Sequence, residues 1–369
     1  MKETGVIVKV FYVTAWFPNP ENNAITPFVK RDVTALGNDN DLVLVHIDRS
    51  YSGRPYRFWV SGKIRAVRLP AHSILQVTKL PFRLRRLSRG CDLLHSTGVF
   101  ALLTLAISFI PLPWVHTEHW SKYMEGGLLP LVISVFERFP DQVTTVSSFL
   151  EKKISGYGVK HVKTVHNIVP LPQSVTTSAS SDTMRLISIG SLINRKSPDV
   201  AVRTLRVLLD RGIDASLVWV GDGPLRQEVD NLINELELSE RVTLTGNVKP
   251  ELVFEYLSGA NIFLLPTQAE TFCLGAAEAL AAGLPVVLGG NGGQRDYVKP
   301  PYGILVDDSR NPEAYADAVI EQMENSRERT GGFFQEAVRE FSEIRFADRM
   351  NEIYRNLYVK FSTVKHWTK

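Results

Sequence analysis

At 369 residues the chain is too long for one ordinary hydrophobic core, which favours two domains. Its 44% hydrophobic and 22% charged residues exclude a disordered chain, and a formal charge of +3 gives no ground for nucleic-acid binding. Two cysteines, Cys91 and Cys273, exclude a disulfide framework and fit a reducing compartment.

Residues 6–14 read as a strand; they are short and β-branched, and lead into a Pro-rich loop rather than a cleavage site. The loop, Trp16-Phe17-Pro18-Asn19-Pro20-Glu21-Asn22-Asn23-Ala24, precedes a helix over 26–36 and strands at 42–47 and 64–69. Residues 79–89 hold five cations and no acid, with Leu80, Leu84 and Leu87 on one helical face. Such a segment can lie on an anionic membrane, or be a solvated helix docked by its leucines. A short strand at 92–95 is followed by a buried helix over 99–110 and a strand at 114–117. Pro111 and Pro113 interrupt this apolar stretch, which falls short of a membrane span. Strands at 142–146 and 162–165 flank a helix over 148–157. Pro170-Leu171-Pro172-Gln173 and the Ser/Thr-rich run to Ser181 read as an interdomain linker.

A second series follows, with strands at 186–189, 217–220, 242–244, 262–265, 286–288 and 304–306. A helix over 198–211 has Ser197 as its N-cap and Pro198 in its first turn. The tail, roughly 312–361, is helical. Alternating strands and helices in both halves predict an α/β protein with two doubly wound, Rossmann-like sheets facing each other across a cleft. The expected boundaries are 1–172, a linker at 173–183, a second domain at 184–345, and a terminal helix at 346–369 that crosses back to the first domain.

Three loops of the second series fall at the carboxyl edge of its sheet, where open α/β folds bind ligands. Gly190-Ser191-Leu192-Ile193-Asn194-Arg195-Lys196 brings two cations, suited to the charge that builds on a diphosphate leaving group. Gly221-Asp222-Gly223-Pro224 allows a tight turn and close ligand approach, although in isolation a plain turn is the better reading. Glu270-Thr271-Phe272-Cys273-Leu274-Gly275-Ala276-Ala277-Glu278 sets one acid in a loop and another about two turns inside a helix. The small residues at that helix start let backbone N–H groups approach a phosphate. Cations, glycine turns and acids together suggest a sugar-nucleotide site.

In this order and spacing, with Ala282-Gly283-Leu284-Pro285, Gly292-Gly293 and Gly303-Ile304-Leu305-Val306, residues 185–325 resemble the retaining GT-B glycosyltransferases of family 4, the glycosyl transferases group 1. The resemblance implies diphosphate contacts by Arg195 and Lys196, with Ser191, Gly221 and Gly223 lining the donor. Glu278 binds the ribose hydroxyls, Glu270 lies beside the donor sugar, and amides around Phe272, Cys273 and Leu274 reach phosphate and sugar. Many members have Arg where Ser191 stands and Gly where Ser197 stands. His119, after the strand at 114–117, matches the family's active-site histidine, and Asn167 the residue before the interdomain crossover. His95 is a secondary candidate for which packing is the better reading. The catalytic set expected is therefore His119, Glu270, Arg195 and Lys196.

The resemblance further implies retaining transfer from a nucleotide-sugar donor to a carbohydrate or lipid-linked glycan acceptor, in cell-surface polysaccharide or glycolipid synthesis. No cofactor and no metal are expected, since no Asp-x-Asp motif stands in a suitable loop. The protein is expected in the cytoplasm, at the inner face of the membrane if residues 79–89 touch lipid. The alternatives are a sugar-nucleotide epimerase of GT-B fold and a non-catalytic sugar-nucleotide binder.

Overall fold

The computed structural model describes residues 7–18, 27–62, 64–172, 183–326 and 332–367. Residues 19–24 of the first loop and 173–182 of the expected linker lie outside the described residues. The chain divides into two compact units, Met1–Ile168 with Glu343–Lys369, and Val169–Ser342. The divisions thus fall a few residues before the expected positions 172 and 345.

The first unit runs β1 (Lys9–Thr14), α1 (Pro27–Leu36), β2 (Asp41–Asp48), β3 (Tyr56–Val60), β4 (Ile64–Pro70), α2 (Ile74–Thr78) and α3 (Leu80–Leu87). It continues β5 (Leu93–Thr97), α4 (Val99–Ala106), β6 (Trp114–Glu118), α5 (Lys122–Glu125), α6 (Leu128–Phe136), β7 (Gln142–Thr145), α7 (Ser148–Gly156) and β8 (Val162–Thr164). The eight strands lie in the order β3-β4-β2-β1-β5-β6-β7-β8. All neighbours pair in parallel except β3, which runs antiparallel to β4. Central strands such as β1 and β5 are buried along almost their whole length, as a sheet covered on both faces requires.

Two features depart from expectation. Strand β3 was not anticipated: at the sheet edge only Phe58 and Val60 turn to the core, and exposed Trp59 and Tyr56 blur the alternating pattern. Helix α4 ends at Ala106 rather than at 110. Phe109 takes a left-handed conformation (φ 46°), and Ile107 and Phe109 turn towards solvent.

The second unit runs β9 (Met184–Ile189), α8 (Pro198–Asp210), β10 (Ala215–Val220), α9 (Arg226–Glu235), β11 (Val242–Gly246), α10 (Val253–Ser258) and β12 (Ile262–Leu265). It ends α11 (Leu274–Ala281), β13 (Val286–Gly289), β14 (Gly303–Val306), α12 (Pro312–Ser326) and α13 (Gly332–Gln335). Its strands are all parallel, in the order β11-β10-β9-β12-β13-β14. The order reverses between β9 and β12, so their carboxyl ends flank the topological switch point.

Helix α14 (Glu343–Trp367) returns the chain to the first unit and packs on α1. Phe346, Met350, Ile353, Tyr354 and Leu357 recur at helical spacing and join the core built by β1, β2 and α1.

Candidate active site

The loops after β9 and β12 meet at the switch point of the second sheet. A short 3-10 turn, Asn194–Lys196, follows β9 and brings Arg195 and Lys196 towards the loop after β12. Backbone bonds join the loops: the Gln268 N–H donates to the Arg195 carbonyl at 2.8 Å.

This places Lys196 Nζ 2.5 Å from Glu270 Oε1, with Arg195 Nη1 3.2 Å from the same oxygen. Arg195 Nη1 also donates to the Ala269 carbonyl, and the Thr267 hydroxyl donates to Glu270. The pair is not a solvated loop tip; the Lys196 side chain is only 14% exposed. Burial alone would raise the Glu270 pKa, but Lys196 and Arg195 outweigh it and hold the carboxyl below its usual range. The result is a partly buried, positively biased cluster with one carboxylate as its internal counter-ion.

Ser197 stands at the N-cap position of α8, but its side chain makes no capping bond, which corrects the sequence expectation. Its backbone is left-handed (φ 48°, ψ 56°), and its hydroxyl is engaged by Asn194 and Gln268 instead. A left-handed backbone is one that glycine adopts without strain, in keeping with the glycine the family resemblance implies at this position. Ser191 is exposed on the same loop.

Glycines 221 and 223 have a packing reason of their own. A Cβ on Gly221 (φ 137°) would stand 2.2 Å from the Gly190 carbonyl oxygen, and one on Gly223 2.4 Å from that of Leu192. The loop after β10 therefore lies directly against the cation-bearing loop.

Helix α11 begins at Leu274, so Glu278 lies about one turn inside it rather than two, and is buried. The N–H groups of Ala276 and Ala277 bond to the Cys273 carbonyl, and those of Leu274 and Gly275, with no intrahelical acceptor, are available to an anion. The Cys273 backbone is left-handed (φ 66°), and burial pushes its thiol up to about 12, so it is not a nucleophile at neutral pH. The Phe272 side chain turns inward and packs against Tyr297 and Phe341. Tyr297 donates to the carbonyls of Phe272 and Cys273 at 3.0 and 2.7 Å and fixes this turn. Sequence reasoning missed Tyr297; it stands beyond Gly292-Gly293, and no local spacing announces its contact.

His119 follows β6 at the carboxyl edge of the first sheet. Its ring packs beside Phe28, with centroids 4.8 Å apart, and edge-on to Trp16. Its Nε2 is buried and has no hydrogen-bond partner among the described residues. Burial lowers its pKa to about 4, so the imidazole is neutral at physiological pH.

Behind it lies a polar network the sequence did not reveal. Glu118 Oε1 accepts the N–H groups of His119 and Trp120 at 2.8 and 2.7 Å, and Oε2 lies 3.3 Å from His116 Nε2. Glu137, from the end of α6, accepts from Tyr123 at 2.8 Å. One side-chain nitrogen or oxygen from each of His116, Glu118 and Glu137 lies within 4.8 Å of the other two, in fully buried surroundings. Burial and the adjacent Glu118 push Glu137 up to about 9, so that it is protonated at neutral pH. Burial opposes ionisation of Glu118, yet its bonds from His116 and Trp120 hold it below the usual range. One carboxylate thus fixes the backbone that carries His119, and one carboxylic acid sits behind it. The only signal in the sequence is an acid at the end of the otherwise buried strand Trp114–Glu118.

His95 is not available to a ligand. Its Nδ1 bonds Tyr354 of α14 at 2.5 Å and its Nε2 bonds Thr117 at 2.7 Å. Asn167 is buried, and its Oδ1 has no partner among the described residues.

Residues 176–332 match the family described as Glycosyl transferases group 1. The chain is 27% identical to the GDP-mannose-dependent alpha-(1-6)-phosphatidylinositol monomannoside mannosyltransferase of Mycobacterium tuberculosis, covering 70% of this chain and 74% of that one. It is 21% identical to the alpha-monoglucosyldiacylglycerol synthase of Streptococcus pneumoniae, over 95% of this chain and 86% of the other. Among solved structures, the sucrose-phosphate synthase of Thermosynechococcus elongatus superposes with a TM-score of 0.79 at 19% identity, covering 95% of this chain and all of that one (100%). That likeness establishes the shared fold. With two parallel-sheet units and a group 1 domain over 176–332, the chain is a glycosyltransferase of GT-B fold.

Proposed function

We propose that the protein transfers a sugar, with retention of configuration and without a metal, from a nucleotide-sugar donor to a glycan or lipid-linked acceptor. The observation that carries this reading is the Arg195–Lys196–Glu270 cluster beside the start of α11. In this reading the donor diphosphate lies against the two cations and the free N–H groups of α11, and Glu278 holds the ribose hydroxyls. As the bond from the sugar to the diphosphate breaks, negative charge grows on the leaving oxygens. Lys196 and Arg195 stabilise it more in the transition state than in the ground state. Attack on the same face, with the leaving phosphate taking the acceptor proton, retains the configuration without a carboxylate nucleophile.

His119 is the candidate for the reaction among the residues of the first unit. Neutral, with one unpaired buried nitrogen, it is suited to a hydrogen bond with a sugar hydroxyl rather than to a stored positive charge. A lipid-linked acceptor is supported by the printed activities of the two relatives, which name a phosphatidylinositol mannoside and a glucosyldiacylglycerol.

The test is incubation with UDP- and GDP-linked sugars and candidate acceptors, with and without a chelator, reading nucleotide release and the anomeric configuration of the product. One donor should be consumed, in chelator as well, and Lys196→Ala and Glu278→Ala should each lower transfer at least about 100-fold. Unchanged transfer by both variants sinks the site assignment. An epimerised donor, or binding without turnover, sinks the reaction.

A further inference from the structure

Helix α6 has no polar outer face. Leu128, Val132, Val135 and Phe139 recur at helical spacing and are 75%, 44%, 48% and 60% exposed, with Leu129 and Leu131 beside them. The inner face, with Pro130, Ile133 and Ser134, is the one that packs on the unit. No charged residue occurs from Gly126 to Phe136. An outward apolar row of this length is not needed to fold the helix and marks a surface that meets something.

Its neighbours indicate what. The crossovers from β4 to β5, β5 to β6 and β6 to β7 all advance in one direction across the sheet. Right-handed connections therefore place α3, α4 and α6 on the same side of it. Helix α4 packs between the other two. Helix α3 buries Leu80 and Leu84 and turns out Phe82, which is 79% exposed. Lys79, Arg85, Arg86 and Arg89 are exposed around it, with no acid in the segment. Arg85 donates to the carbonyl of Phe109 at 3.1 Å, and Phe109 is itself 76% exposed. Apolar side chains and uncompensated cations thus share one side of one sheet.

We infer that the α3–α4–α6 side of the first unit is a docking face for an anionic lipid surface, with α6 as the inserted element. The contact extends beyond the basic segment at residues 79–89: the cations of α3 meet lipid headgroups while the outer row of α6 enters the acyl boundary. Apolar insertion and charge attraction add, which gives reversible binding without a spanning helix. Among the described residues no helix is long and apolar enough to cross a membrane. Helix α6 starts at the carboxyl edge of the sheet, soon after His119 in the chain. Only the consequence for a lipid-linked acceptor, delivered at that edge, rests on the glycosyltransferase reading.

The test is co-sedimentation of the full chain with vesicles of phosphatidylcholine alone, or with phosphatidylglycerol as roughly a third of the lipid. Binding is expected to the anionic vesicles, reduced about tenfold or more by roughly 0.5 M salt. Leu128→Asp with Val132→Asp should lower it at least about 100-fold. Arg86→Glu with Arg89→Glu should lower it about tenfold and remove the salt response. All these side chains are exposed, so thermal melts should be unchanged. No binding to anionic vesicles, or binding that both double variants leave intact, overturns the proposal. So does a concentration-dependent dimer in light scattering that Leu128→Asp with Val132→Asp dissociates, which would make the face a contact between copies. Because vesicle binding needs no donor, its failure is distinguishable from failure of the transferase reading.

Discussion

Replacement of Lys196 by Met keeps the length of the side chain and removes its charge. In the wild type, Lys196 Nζ lies 2.5 Å from a Glu270 oxygen, and the two side chains are 14% and 7% exposed. With charge centres roughly 4 Å apart, an effective dielectric of about 20 gives about 4 kcal/mol of attraction. Desolvation cancels part of this, and Arg195 and Thr267 remain on Glu270 in the variant. A loss of about 2–3 kcal/mol follows, short of the ~3–5 kcal/mol for stranding a buried charge outright. Chemical denaturation at pH 7 measures it; Trp219 is the sole tryptophan of the second unit and donates to the Gly190 carbonyl beside the site. The pH dependence has a definite sign. The folded pKa of Glu270 is depressed, so its stabilisation is present above the ordinary carboxylate range and lost as pH falls through the folded value. Lys196→Met raises that pKa, and the acid limb should move to higher pH. The double variant Lys196→Met with Glu270→Gln should recover part of the lost stability, because the buried carboxylate is gone and Arg195, 23% exposed, keeps its bond to the Ala269 carbonyl. A single variant costing under about 0.5 kcal/mol, with no coupling in the double-variant cycle, would refute the reasoning.

Gly221→Ala should destabilise the second unit by about 2–4 kcal/mol, since its Cβ meets the Gly190 carbonyl at 2.2 Å and its φ is 137°; a thermal shift under about 3 °C would contradict this. Glu137, pushed up to about 9, stays protonated in the folded protein while it ionises in the unfolded chain. Its stabilisation is complete at acid pH and is lost between the ordinary carboxylate range and about pH 9. Glu137→Gln keeps an acceptor for Tyr123 and cannot ionise, so denaturation midpoints across that window should fall less steeply than in the wild type.

The loops of the second unit were legible because strand ends in a parallel sheet collect at one edge, so order along the chain predicts neighbourhood. The partners within that edge were not. Arg195 and Glu270 meet because β9 and β12 are adjacent in the sheet, a pairing between segments more than 70 residues apart along the chain. Tyr297 and the Glu118–Glu137 pair escaped for the same reason: their contacts are made in space, across elements with no common spacing. His95, in the middle of β5, bears out the packing reading preferred from the sequence, since both its nitrogens are occupied. The boundaries of α4 and α11 were misjudged near a left-handed residue: Phe109 lies just past the end of α4, and Cys273 stands at the start of α11. Neither is a residue type that marks such a position.

The bond from His95 to Tyr354 joins residues 259 positions apart. During synthesis the chain therefore has all of the second unit in hand before the first can close its sheet against α14. The earlier strands must wait, with the seam between β1 and α1 uncovered, while about half the chain is still being made. Loss of α14 would therefore be felt as misfolding of the unit built by β1, β2 and α1.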